Sequence, residues 1–248
     1  IAIRQVRLAY EAGVRFFSVL AHLPWKTRSG ERRFEPLDEA LQIIAENAPE
    51  ALILPRLLFS PLNSWIRANE DQMTLFSDDE KGDVSLASRV FWEEEADSAL
   101  RAAVERVAQG PYAGKVFGFY LEHGEWFYEK GRGFDRSPAN IEGFRSWLKT
   151  QYRNSVVALR SAWFDGSVTF ETALIPDWPT PEGPYLFFSA RERRYADYYQ
   201  YASDQITHII ARLGKAIKEA SGERSAVAVS YGYSLELMRP DSGHLSLG

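Results

Sequence analysis

The sequence predicts an α/β protein built on a parallel sheet. Three observations lead there: short apolar runs recur along the chain, stretches of helical period stand between them, and each run ends abruptly in a loop of aromatic and charged residues. Buried parallel strands read as continuous apolar runs, and strands alternating with helices imply right-handed βα crossovers. The residues just past the C-terminal ends of such strands are where enzymes of this class hold their chemistry.

The first element is a helix over residues 2 to 12, with Ile3, Val6, Leu8 and Tyr10 near helical spacing and Gly13 as its stop. A strand, Val14 to Leu20, follows and runs into AHLPWK, where Pro24 forbids continuation and Trp25 is left in the loop. Pro36 and Asp38 announce the next helix, whose Leu37, Ala40, Leu41, Ile44 and Ala45 are spaced i, i+3, i+4, i+7. The second strand is Ala51 to Phe59, although Pro55 inside it counts against a central position in a sheet. Residues 69–88 are polar and acidic and read as a long loop. A helix then covers Glu93 to Gln109, closed by Gly110-Pro111.

The third strand lies in KVFGFYLEHGEWFY, Lys115 to Tyr128, where the apolar run Val116 to Leu121 discharges into two carboxylates, a histidine and a tryptophan. Its position alone marks Glu125 as a candidate catalytic carboxylate. After a glycine-rich turn come helices over Ala139–Tyr152 and Val156–Trp163. Residues 164–189 are rich in proline and aromatics and have no period, as expected of a lid or binding loop. A long helix from Ala190 to Ala220 buries a stripe that includes Tyr198, Tyr201, Ile206 and Leu213, and the fourth strand is Ala226 to Tyr233.

Composition narrows the function classes. A formal charge of −5 and a pI near 5.5 disfavour nucleic acid, which needs a concentrated basic surface. No run reaches the roughly 18 apolar residues of a membrane span, and the first residues read as an amphipathic helix. Cytoplasm is only the default compartment. The absence of cysteine excludes disulfides, thiolate metal sites and a thiol nucleophile. Seven Trp, twelve Tyr and fifteen Phe make 14% aromatics, several of them in loops beside carboxylates. That combination suits carbohydrate, because a pyranose ring stacks an apolar face on an aromatic ring while its hydroxyls need polar partners.

Four strand–helix alternations without a GxGxxG or GxxxxGK[ST] motif favour a TIM (β/α)₈ barrel over an open nucleotide-binding sheet. Only four of eight strands are legible, so the expectation is a partial barrel: a single catalytic-domain segment over residues 1–248, drawn from a longer polypeptide.

In their order, EAGVRFFSVL with its Trp loop, LDEALQIIAENAPEALILPRLLFSPLNSW, VFGFYLEHGEW, FRSWLKTQYRNSVVALRSAW and the helix containing DYYQYASDQ resemble the clan A glycoside hydrolase barrels. They are most similar to the catalytic domain of family 42 β-galactosidases and its uncharacterised relatives. The resemblance implies a retaining β-glycosidase whose acid/base glutamate ends barrel strand four and whose nucleophile ends strand seven. The four strands are then barrel strands two to five, Glu125 is the acid/base, and the nucleophile lies beyond Gly248. The family has Asn directly before the acid/base, and here that residue is Gly124. Either His123 substitutes for the Asn or the substrate differs.

Retaining glycosidases need two carboxylates about 5 to 5.5 Å apart. The acid requires a raised pKa, which burial beside an aromatic such as Trp126 supplies. Glu122, nearer the strand end, is the rival for that role, and both glutamates also read as loop ion-pair partners. Arg56 either braces a carboxylate or sugar hydroxyl or forms an ion pair inside the barrel. His22, Trp25, His123, Trp126 and Tyr233 follow strand ends and are expected to line a sugar site; Trp65, Trp147 and Trp163 read as packing. His22, His123 and His244 lack HxH or HExxH spacing, so no metal is expected, and no cofactor is implied. A carbohydrate is the expected partner, homo-oligomers are compatible with the reading, and nucleic acid and membrane are not expected. The alternatives are a catalytically silent carbohydrate-binding barrel and a barrel of other chemistry, such as a lyase acting on a uronic acid sugar.

Overall fold

A computed structural model describes residues 2–123, 133–177 and 192–230. In chain order the elements are α1 (Ala2–Glu11), β1 (Phe16–His22), α2 (Glu35–Asn47), β2 (Leu52–Leu58), α3 (Asn63–Ala68), β3 (Met73–Leu75) and β4 (Lys81–Val84). A π-helical stretch, Val90–Ala96, leads into α4 (Asp97–Gln109), followed by β5 (Gly118–Glu122), α5 (Pro138–Gln151), α6 (Val156–Trp163), α7 (Arg193–Ser221) and β6 (Ala226–Val229). No described helix is long and apolar enough to cross a membrane. The described residues group into two compact units, one drawn from 2–65, 92–123 and 209–230, the other from 66–91, 133–177 and 192–208.

The first unit contains a four-stranded parallel sheet in the order β1-β2-β5-β6. Alternation sends Ile53 and Leu57 of β2 and Phe119 and Leu121 of β5 to one face, where all are buried. Leu37, Leu41 and Ile44 of α2, spaced as the helical period requires, are buried too. Leu20, Arg56, Tyr120 and Ala228 align in one row of the opposite face, with His22, Leu58 and Glu122 in the next. This second face is open at β1, where Phe16 is 68% exposed and Leu20 53%.

Pro55 does lie in a central strand, contrary to the expectation from its chemistry. The N–H of Leu52 bonds to Arg15 on the β1 side, whereas that of Ile53 bonds to Lys115 and that of Phe59 to Glu122 on the β5 side. Alternation therefore turns the missing N–H of Pro55 toward β5. There the register slips by one residue, between Ile53↔Val116 and Arg56↔Tyr120, so the ladder has a break where proline stands. Gly118 answers a different constraint. A Cβ on it would lie 2.6 Å from the carbonyl oxygen of Ala226, so only glycine lets β5 and β6 approach this closely.

The expected loop over 69–88 is in fact structured: β3 and β4 pair antiparallel in the second unit. The strands are three and four residues long and carry little apolar alternation, which is why the sequence does not announce them. The Asp135 carboxylate secures this hairpin, accepting from the Leu75 N–H at 3.1 Å, the Ser85 hydroxyl at 2.6 Å and the Ser137 N–H at 2.8 Å. Burial pushes the Asp135 carboxyl above its ordinary value while these bonds pull it down. Ser137 caps α5 by accepting from the Asn140 N–H, with Pro138 in the first turn.

The core of the second unit is aromatic. Phe144 of α5 meets Trp163 of α6 and Tyr198 and Tyr201 of α7 at ring separations of 5.3 to 6.2 Å. Trp163 therefore packs, as does Trp147. Residues 164–177 form no helix or strand, yet Val168, Phe170, Ala173 and Ile175 are buried in this core. The excursion predicted over 164–189 is thus anchored in its described part; 178–189 lie outside the described residues.

Asp197, 1% exposed, accepts from the Tyr152 hydroxyl at 2.5 Å, Trp163 Nε1 at 2.8 Å and Arg193 Nε at 2.8 Å. Burial, and then the Asp197 carboxylate, push the Tyr152 phenol up to about 12. Asp197→Ala strands three donors and is expected to cost about 3–5 kcal/mol in denaturant unfolding; a loss below about 1 kcal/mol would show that the network carries little stability. Gly118→Ala is expected to cost about 1–3 kcal/mol by forcing β5 from β6, and an unchanged unfolding midpoint would contradict the close approach.

Candidate active site

The C-terminal ends of β1, β2 and β5 deliver three side chains from the sequence reading to one face of the sheet: His22, Arg56 and Glu122. Of these, the structure joins Arg56 and Glu122. Arg56 Nε donates to Glu122 Oε2 at 2.6 Å, and Nη2 of the same guanidinium pairs with the same oxygen. Glu122 is 8% exposed, so a cation is the partner its burial requires. The Arg56 side chain keeps 41% of its surface and stands over the Tyr120 ring, 5.3 Å from the centroid. The Tyr120 hydroxyl in turn bonds to the Ser230 hydroxyl just past β6. A chain of contacts thus crosses β2, β5 and β6 immediately below the strand ends.

The competition between Glu122 and Glu125 has a geometric side. A proton donor to a glycosidic oxygen must present a free carboxyl oxygen toward substrate. In Glu122, Oε2 is occupied by two guanidinium donors. Glu125, Trp126 and Tyr233 lie outside the described residues, as does His244.

His123 follows Glu122 directly and meets Trp92 edge to face, with ring centroids 5.0 Å apart. Trp92 also contacts Phe59, one residue past β2, at 5.8 Å. Trp92 comes from the π-helical stretch, a rare geometry that recurs at functional sites. His22 and Trp25 line a separate cleft of about 420 Å³ with Arg33, Pro36, Leu62 and Asn63. Trp25 is only 8% exposed, so it forms the wall of this cleft and offers little open ring face. Trp65 lies in α3. Among the described residues no group of His, Asp or Glu is arranged to hold a metal ion.

Tyr120, Ser230 and Trp92 were not singled out by sequence. Tyr120 had a signal, since it stands two residues before Glu122 and strand alternation puts both on one face. Trp92 had none, because its approach to His123 depends on two segments remote in sequence.

No protein-family model matches the sequence, and no curated protein matches it in sequence. Solved structures match it in shape. The β-galactosidase of the psychrophilic Marinomonas ef1 superposes with a TM-score of 0.70 at 18% identity, over 93% of this chain and 35% of that one. The polyextremophilic β-galactosidase of the Antarctic haloarchaeon Halorubrum lacusprofundi gives 0.69 at 21%, over 92% and 34%. A GH42 β-galactosidase from G. stearothermophilus, in its catalytic-mutant form, gives 0.67 at 16%, over 95% and 34%. The chain spans about a third of the length of each. At these identities the likeness is one of fold: the chain has the architecture of part of the (β/α)₈ barrel of GH42 β-galactosidases.

The Arg56–Glu122 pair is open to a double-mutant cycle. With 41% of the Arg56 side chain in solvent, Arg56→Met and Glu122→Met should couple by about 1–2 kcal/mol in unfolding free energy. Strict additivity of the two would contradict the pair.

Proposed function

We propose that this chain supplies the acid/base side of a retaining β-glycosidase site of β-galactosidase type. One observation carries the reading: β5 stands third in the consecutive parallel order β1-β2-β5-β6, in a fold shared with part of the β-galactosidase barrel, and ends at Glu122, three residues before Glu125. With β1 taken as barrel strand two, β5 is strand four.

In the proposed reaction Glu125 donates its proton to the glycosidic oxygen as the bond to the anomeric carbon breaks. A second carboxylate, on a strand outside this sequence, attacks that carbon from the opposite face and forms a glycosyl ester. Glu125, now ionised, takes a proton from water as the water oxygen attacks the anomeric carbon and displaces the carboxylate. In this scheme Glu122 serves as the partner of Arg56. His22, in the cleft that Trp25 walls, takes a further part of the carbohydrate, and His123, Trp126 and Tyr233 complete the surroundings of the scissile bond.

Gly124, standing where related barrels have Asn, favours a second reading, a barrel that binds carbohydrate without turnover. One experiment separates the two. In the polypeptide carrying the whole barrel, Glu125→Gln should lower kcat on an alkyl β-galactoside by about 10²–10⁴-fold. Azide should rescue an activated aryl substrate by trapping the glycosyl ester as the glycosyl azide. An unchanged rate would rule out Glu125 as acid/base, and sugar binding by a wild type without turnover would establish the silent barrel.

A further inference from the structure

We infer that Arg56 is a positioning residue for glycoside cleavage: through its ion pair with Glu122 it sets the end of β5, and it does not itself bind the sugar. This inference rests on the proposed acid/base role of Glu125. The two residues lie 66 apart in sequence and reach each other only because β2 and β5 are neighbours, with Arg56 opposite Tyr120 and Glu122 opposite Leu58.

Three features separate a positioning role from ordinary ion pairing. First, the guanidinium approaches one carboxylate oxygen through both Nε and Nη2, which fixes the direction of the Glu122 side chain. Second, the same guanidinium stands over Tyr120, whose hydroxyl is tied to Ser230, so the end of β5 is held on its β2 side and its β6 side together. Third, the ladder between β2 and β5 is interrupted just before this point. The missing N–H of Pro55 and the slipped register leave the ladder between β2 and β5 broken until Arg56↔Tyr120. The pair sits at the first residue after the break, where backbone bonding resumes.

A carboxyl three residues past the strand end must meet the glycosidic oxygen within hydrogen-bond reach, and a displacement of about 1 Å can cost on the order of 100-fold in rate. The test uses Arg56→Met, Arg56→Lys and the double variant Arg56→Met/Glu122→Met in the polypeptide carrying the whole barrel. Melting temperature, kcat and KM on an aryl β-galactoside are measured for each. Arg56→Met should lower kcat on the order of 100-fold with KM within about twofold of wild type. Arg56→Lys should recover part of that loss, since it keeps the charge but offers no planar fork.

The double variant decides the matter, because two apolar side chains leave no buried charge and restore the melting temperature. A positioning role keeps its kcat low although it is folded. Recovery of kcat together with stability would reduce the pair to a structural one and overturn the inference, as would a large rise in KM at unchanged kcat, which marks direct sugar contact. Glu125→Gln keeps the two readings apart. If it is inactive while Arg56→Met turns over normally, only this inference falls; if it is fully active, the acid/base reading falls first.

Discussion

A carboxylate at the end of a buried strand cannot stay there unpaired, and in this chain the pairing of Glu122 with Arg56 organises what surrounds it. Desolvating either ion alone costs several kcal/mol, so the two strands that carry them are held in the register that joins them. The backbone ladder supports that register only in part, because Pro55 has no N–H to contribute. The ion pair, the ring of Tyr120 and the Ser230 hydroxyl act where the ladder is weakest. On the opposite face Ile53, Leu57, Phe119 and Leu121 are buried.

The two units meet their stability requirements in different ways. The first relies on aliphatic side chains between sheet and helices, with residues such as Leu37, Leu41 and Leu100 fully buried. The second has little sheet and fills its interior with rings from α5, α6 and α7. Aromatic cores carry polar handles that must be satisfied, hence the buried Asp197 beneath Tyr152 and Trp163, and Asn140, whose amide donates to the Tyr198 hydroxyl and accepts from that of Tyr201. Ten of the 34 aromatic side chains belong to this core or pack against it, and for those ten packing is explanation enough.

Most elements were legible because their physics is local. The helix of Leu37, Leu41 and Ile44 follows from spacing alone, and so do α4, α5 and α6. The runs that became β1 and β2 ended within two residues of their reading. The β3–β4 hairpin was illegible for the converse reason: three- and four-residue strands with polar sides are held by cross-strand bonds and by Asp135, which is 60 residues from Leu75 and invisible to any window. The Pro55 expectation failed because the sequence shows that an N–H is missing but not which neighbour would have received it.

By itself the sequence determined that this is an α/β chain of alternating apolar runs and amphipathic helices, since burial periodicity is set residue by residue along one element. It also offered the polar and aromatic residues that follow each apolar run as candidates for a site. Only the tertiary structure decided that β2 lies between β1 and β5, that Arg56 is bonded to Glu122, and that His22 and Trp25 share a cleft while His123 meets Trp92. Those are pairings between segments far apart in the chain, and such pairings are chosen by the packing of the whole sheet, not by the local sequence at either end.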